Sequence, residues 1–353
     1  MLPYFSILSL SALTAFLIYD SKYRKYDNAF IFLLFILVSL FLSFRSIEIG
    51  PDWFTYKELF QNQINFPFIH SITIGDPAYF GLTWIVRRFT DDIFFVNILM
   101  AFITMFFYYM FCKFQKYSTF SFFIGLPFLI LFIINFPRQA AAMTIIAYSM
   151  KHILCGNKRE YLLFLLLAML FHKTAIVFLV LLIDNLEKFK LKNVLLLGLA
   201  ITSFFVLFVS KFLSGYILNF STLMQSNAAH IKGIIYLLPA VAYLIFYKQI
   251  SNVMSSEEIF IIKRLSMIII FSYFLIFLHP FLYNAMDRLF IYFLPVEVLI
   301  FGNYMIRAIK GNQILLYMSM IIVYKFVLFF AWLFLGNKSS FFVPFEFYTL
   351  HLF

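Results

Sequence analysis

Residues 161–183 read YLLFLLLAMLFHKTAIVFLVLLI, a mostly apolar run of 23 positions with His172 and Lys173 in its middle. The run is long enough for one transmembrane helix, or for a hairpin of two short ones with its tip at His172-Lys173. Every later loop changes sides with this choice, so the distribution of Lys and Arg can arbitrate. A hairpin puts sixteen of them in cytoplasmic loops and ten outside, whereas a single helix gives twelve and thirteen. Cytoplasmic loops carry the positive excess in polytopic proteins, so the sequence predicts the hairpin, with both termini outside. Each half is about 17 Å long at ~1.5 Å per residue. Helices that short are tolerated at membrane depth only where they line a protein-enclosed or watery cavity, which already points to a site.

Outward from this run, apolar stretches recur along the whole chain. Spans are expected near 4–19, 29–44, 93–111, 119–136, 139–154, 161–171, 174–183, 194–210, 234–247, 265–279, 288–306 and 314–335. Of 353 residues, 64% are apolar and 12% charged, against roughly a quarter charged in soluble domains. The mean hydropathy is +0.95. A transmembrane barrel would show short alternating segments instead. The expected fold is all-α: a polytopic integral membrane protein with about twelve transmembrane helices, some short or re-entrant, forming one transmembrane domain over 1–353. Residues 45–92 form its largest outside, periplasmic loop. Within that loop 56–68 can lie along the interface, and 78–89 can form a short amphipathic or re-entrant helix. No internal repeat or Gly/Ser linker stands out.

The net charge of +11 reports orientation rather than nucleic-acid binding. Residues 1–5 carry no basic residue ahead of the first apolar run, and Lys22, Arg24 and Lys25 follow it, so that run is expected to stay as a span and not to be cleaved as a signal. Cys112 and Cys155 fall at expected cytoplasmic helix ends and read as ordinary thiols in a reducing compartment.

No D-x-D pair, Walker loop, G-x-G-x-x-G, paired-cysteine motif or H-E-x-x-H occurs, so nucleotide-sugar and ATP chemistry lack visible machinery. What remains is a set of polar groups that the expected topology places on one face. They are Arg45 and Asp52 with Tyr56 in the first outside loop, Arg138-Gln139 after Pro137, His172-Lys173-Thr174 at the hairpin tip, and Asp287-Arg288 at the start of the eleventh span. Plainer readings exist for most. Arg45 can anchor at headgroups, Asp287 and Arg288 can pair locally, and His172 can be a satisfied polar residue at a helix end. Arg138 is hardest to explain so, because it precedes Ala140-Ala141-Ala142-Met143 near hydrocarbon depth, where charge is costly and usually functional.

At these windows the chain resembles the EpsG-like family of O-antigen and exopolysaccharide polymerases, the Wzy class. The resemblance rests on Phe44-Arg45-Ser46 with Gly50, Asp52 and Tyr56, on Arg138-Gln139 with alanines behind, and on His172-Lys173-Thr174-Ala175. Arg288 before an aromatic-rich span and Pro344-Phe345 are weaker matches. Gly75-Asp76-Pro77-Ala78-Tyr79 stands where such proteins often have a Glu-Pro-Gly-like turn, with Asp for Glu and Ala for Gly.

The resemblance implies a multi-span glycosyltransferase of the lipid-linked-sugar kind. It would join oligosaccharide repeat units carried on undecaprenyl diphosphate, with donor and acceptor both lipid-linked, at the periplasmic face of the inner membrane. Membrane lipids and a chain-length regulator are the partners it implies, with no metal and no cofactor. Arginine suits the diphosphate leaving group, being permanently charged and two-pronged. Arg138 and Arg288 are expected on the donor diphosphate, Arg45 as a third phosphate or sugar contact, and Tyr56, Gln139 and Lys173 as further substrate contacts. The acceptor hydroxyl needs a general base, and Asp52 and His172 are both candidates. An O-antigen ligase and a lipid-linked oligosaccharide flippase are the rival readings.

Overall fold

The computed structural model describes residues 1–19, 21–182, 228–277, 282–336 and 339–348. In chain order its main helices are α1 (Leu2–Leu17), α2 (Asp27–Ser43), α3 (Trp53–Asn62), α4 (Phe68–Ile74), α5 (Pro77–Arg87), α6 (Phe94–Lys113), α7 (Ser118–Asn135), α8 (Pro137–Leu154), α9 (Lys158–Phe171), α10 (Ala228–Ile245), α11 (Ser256–Leu275), α12 (Leu282–Ile291) and α13 (Gln313–Leu335). A 3₁₀ segment, Lys173–Leu182, follows α9, and a wide π-type segment, Val298–Met305, lies between α12 and α13. Among the described residues the only strand-like pairing is an isolated antiparallel bridge between Arg45 and Phe347.

The protein is membrane-embedded. Phe94–Lys113, Ser118–Asn135, Met286–Ala308 and Gln313–Phe334 are each long and apolar enough to cross a membrane. Leu2–Leu17, Asp27–Ser43, Lys173–Leu182 and Ala229–Ile245 are apolar but shorter. Four helices among the described residues are thus long enough to span by themselves, and most of the twelve expected runs, some of them expected short, coincide with helices. The expected span at 194–210 lies outside the described residues.

Helix α7 is the axis of the bundle, with all its residues buried. Its first turn is capped from another helix. The Asp27 carboxylate, at the start of α2, accepts from the Ser118 and Thr119 amides at 3.0 Å each and from both hydroxyls. Carboxylate at a helix N-terminus satisfies orphan donors and complements the dipole. Midway, Pro127 interrupts the ladder of α7. Two residues earlier the Tyr108 hydroxyl takes the place of a backbone bond: it donates to Phe122 O at 2.8 Å and accepts from the Gly125 amide at 3.1 Å. A Cβ at Gly125 would sit 2.4 Å from that oxygen, so only glycine leaves room for the inserted hydroxyl.

Over the described residues 161–182 the decisive run folds as the hairpin. α9 stops at Phe171, His172 is extended at φ −159° and ψ 116°, and the 3₁₀ segment returns along α9. The Tyr161 hydroxyl consequently donates to Phe178 O at 2.7 Å. In one continuous helix these residues would stand about 25 Å apart at ~1.5 Å per residue.

The loop after α2 is helical through α3, α4 and α5 and packs on the end of the bundle where α7 finishes and α8 begins. Trp53 Nε1 donates to Ile134 O, at the last turn of α7. The chain's C-terminal stretch closes over this loop through Ser46 N to Glu346 O and Tyr348 N to Phe44 O, both 2.8 Å.

Candidate active site

The polar residues of this end gather on Asp76. Pro77 disfavours helix at the residue before it, and Asp76 is extended at φ −80° and ψ 111° as the first residue before α5. Its side chain does not cap α5. It turns instead to the neighbouring helices: Oδ2 accepts from Arg138 Nη1 at 2.9 Å and meets His172 Nδ1 at 3.1 Å, while Oδ1 accepts from the Lys173 amide at 3.3 Å. Asp76 is 3% exposed. Burial pushes its carboxyl up, but the His172 hydrogen bond, the Arg138 charge and the Lys173 amide outweigh burial and hold it below the usual carboxylate range. At neutral pH it is an anion that holds three donors.

Arg138 enters this group because Pro137 starts α8, where a missing amide costs nothing. Its guanidinium lies 5.4, 5.5 and 5.6 Å from the rings of Tyr56, Tyr79 and Phe80. An aromatic cup of this kind holds a planar cation in place. Burial keeps the Tyr56 and Tyr79 hydroxyls protonated, raising both above the phenol range.

A second edge of the site comes from α10 and α12. Gln139 Nε2 donates to the Arg288 backbone carbonyl, tying the start of α8 to α12. Thr174 donates to the Tyr292 hydroxyl at 3.0 Å. Asp287 pairs with Lys232 of α10 at 2.8 Å, and not locally with Arg288. The Lys232 ammonium rests 5.6 Å from the Phe136 ring, beside Pro137-Arg138. The Arg288 side chain is exposed.

Of the residues expected from sequence, Arg138, His172 and Lys173 therefore meet directly at Asp76. Tyr56 lies beneath Arg138, and Gln139 links to Arg288. Gln139 is buried and spends its amide on the backbone of α12, so it holds helices together here. Asp52 precedes α3, one turn ahead of Tyr56, with no side-chain bond to cap the helix. Arg45 is set apart from this group. It is 0% exposed, lies 4.2 Å over the Trp53 ring and donates to Ile49 O at 3.0 Å. Burial lowers its pKa to about 9, with the neighbouring Tyr4 and Tyr79 acting the other way. Arg45 thus sits inside the packing between loop and bundle and presents no open fork to a substrate.

Asp76 and Lys232 are the members that sequence reasoning left out. The Gly75-Asp76-Pro77 turn carried the signal for Asp76, but its departure from the Glu-Pro-Gly-like pattern drew weight away from it. Lys232 had no motif, and only the packing of α10 against α12 brings it in.

Fold and site together define a membrane-embedded helical protein with a buried acid, a histidine and several cations collected at one end of its bundle. The chain belongs to the EpsG family, whose sequence profile matches residues 28–347, a range that includes every residue of this site. No curated protein and no solved structure matches the chain.

Proposed function

We propose that this protein polymerises undecaprenyl-diphosphate-linked oligosaccharide repeat units into O-antigen or related polysaccharide. The reaction takes place at the periplasmic face of the inner membrane, by metal-independent, inverting glycosyl transfer. The observation that carries the reading is the meeting of Arg138 and His172 on one buried carboxylate, with Arg288 joined to them through Gln139, in a chain of the EpsG family.

The chemistry suits these groups. A lipid diphosphate is a weak base and leaves with charge stabilisation rather than protonation, which Arg138 and Arg288 supply. Arg138 commits Nη1 to Asp76, and its Nε has no partner among the described residues. The acceptor sugar hydroxyl is activated by His172 or Asp52. Lys173 and Tyr56 complete the substrate contacts, and Arg45 supports the loop that carries Asp52 and Tyr56. Single displacement inverts the anomeric carbon.

The lipopolysaccharide of a strain lacking the gene tests this function. Lipid core bearing one repeat unit is the expected pattern. Bare core with accumulated polymer would identify a ligase, and bare core with no outward-facing precursor would identify a flippase.

A further inference from the structure

We infer that Asp76 is the positioning residue of this site: its carboxylate fixes the His172 ring so that Nε2 is the atom that meets the acceptor hydroxyl. The inference rests on the glycosyl-transfer reading and adds a residue to which that reading gives no role.

The geometry around Asp76 separates holding from proton transfer. Both of its oxygens are engaged, Oδ2 by Arg138 and His172 and Oδ1 by the Lys173 amide. An ionised carboxylate can only accept hydrogen bonds, so the 3.1 Å contact to His172 requires the proton on Nδ1. In the neutral ring that assignment leaves the lone pair on Nε2. Nε2 is buried and has no hydrogen-bond partner among the described residues. Buried polar atoms are nearly always satisfied, and an exception calls for a reason. The His172 side chain keeps 11% exposure against 4% for Asp76, so it stands nearer the edge of the cluster, with Nε2 itself covered.

The position of His172 explains why an external holder is needed. The residue is the break between α9 and the 3₁₀ segment, extended and outside both helices. Neither helix fixes its ring by itself. Asp76 reaches it from 96 residues away in sequence and ties it to Arg138, so base and phosphate-binding cation share one anchor. In the transfer, the acceptor hydroxyl gives its proton to Nε2 as its oxygen bonds the anomeric carbon. The bond from that carbon to the lipid diphosphate breaks, and the electron pair leaves on the phosphate oxygen. The imidazolium formed faces Asp76 until its proton passes to water.

Two measurements on the full-length protein in detergent test this. The first is nitrogen NMR of ¹⁵N-histidine-labelled protein, with His172 assigned by its loss in His172→Gln. A protonated Nδ1 and a bare Nε2 are expected at neutral pH. The opposite tautomer, or an even mixture, overturns the inference whatever the protein's activity. The second is a double-mutant cycle on kcat with purified lipid-linked repeat units. Asp76→Asn should lower kcat on the order of 10²-fold or more, loss of the orienting carboxylate of a Ser-His-Asp triad costing about 10⁴-fold, with thermal melting close to wild type. In a His172→Gln background the same change should cost less than about twofold, because the residue acts through His172. A full further loss in that background would make Asp76 a base or a structural group and overturn the inference, as would near-normal kcat in Asp76→Asn. Should Asp76→Asn fold poorly, Asp76→Glu serves, with partial activity expected and its residual defect again absent in the His172→Gln background. A wild-type protein that makes no polymer refutes the glycosyl-transfer reading, and the NMR result then still decides the tautomer.

Discussion

Arg138 is paired with a buried carboxylate on one side and enclosed by three aromatic rings on the other, so both its charge and its planar shape are used. Lysine keeps the charge and loses both the fork and the flat face. Arg138→Lys is therefore expected to lose nearly as much polymerisation as Arg138→Ala, read as chain length at matched protein level. Near-normal chains from the Lys variant would reject a diphosphate grip. Arg45 has the opposite profile, being sealed against Trp53 with Nε and Nη2 unpartnered. Arg45→Ala should lower the melting temperature and the amount of folded protein while leaving the donor KM within about twofold in what remains. A large rise in KM with normal melting would return Arg45 to the substrate.

At the scale of elements, the site depends on where helices start, stop and bend. α7 owes its first turn to Asp27, which reaches it from 91 residues away in sequence and accepts from two amides and two hydroxyls. Asp27→Ala should cost about 1–3 kcal/mol by leaving buried donors unmet, measured by denaturation in detergent. A change under about 0.5 kcal/mol would mean that water takes over the cap. α11 begins at Ser256, nine residues ahead of the apolar run expected near 265–279, because Ser255 and Glu258 form a capping box there. That S-x-x-E signal was present in the sequence. The insertion of Tyr108 beside Pro127 had no such signal, since it joins two helices across 14 to 17 residues through a single hydroxyl.

At the scale of the whole molecule, one charge pair stands away from the site. Lys325 of α13 had no evident partner in sequence, and it meets Glu297 at 2.6 Å with both side chains 0% exposed. The Phe128 ring of the central helix lies 5.1 Å from the ammonium. Removing one member strands the other charge in a low-dielectric interior, whereas removing both is often neutral. Lys325→Met should therefore destabilise by about 3–5 kcal/mol, and adding Glu297→Gln should restore most of the loss. A double variant as unstable as the single one would refute the pairing. Sidedness is tested at the same scale by cysteine labelling in a Cys155→Ser background. A cysteine at Thr174 should react with an impermeant reagent from outside, and one at Asn157, at the other end of α9, should not. The reverse pattern would turn the site toward the cytoplasm.

Composition and apolar periodicity alone determined that this chain is a helical membrane protein, because apolar length is a local property that a bilayer selects directly. Charge bias also favoured the hairpin at His172 that the fold shows, since a loop's Lys and Arg count needs no knowledge of packing. Arg138 and His172 were legible for a similar reason: each is a polar residue at a break in an apolar run. Tertiary structure alone decided what they do together. Asp76, Arg138 and His172 lie 62 and 96 residues apart in sequence and meet only because the loop between α2 and α6 folds onto the ends of α8 and α9. Packing likewise withdrew Arg45 into the interior, gave Asp287 to Lys232 and found Glu297 for Lys325. In each case the partner is chosen by distance across helices, and no spacing along one chain records that distance.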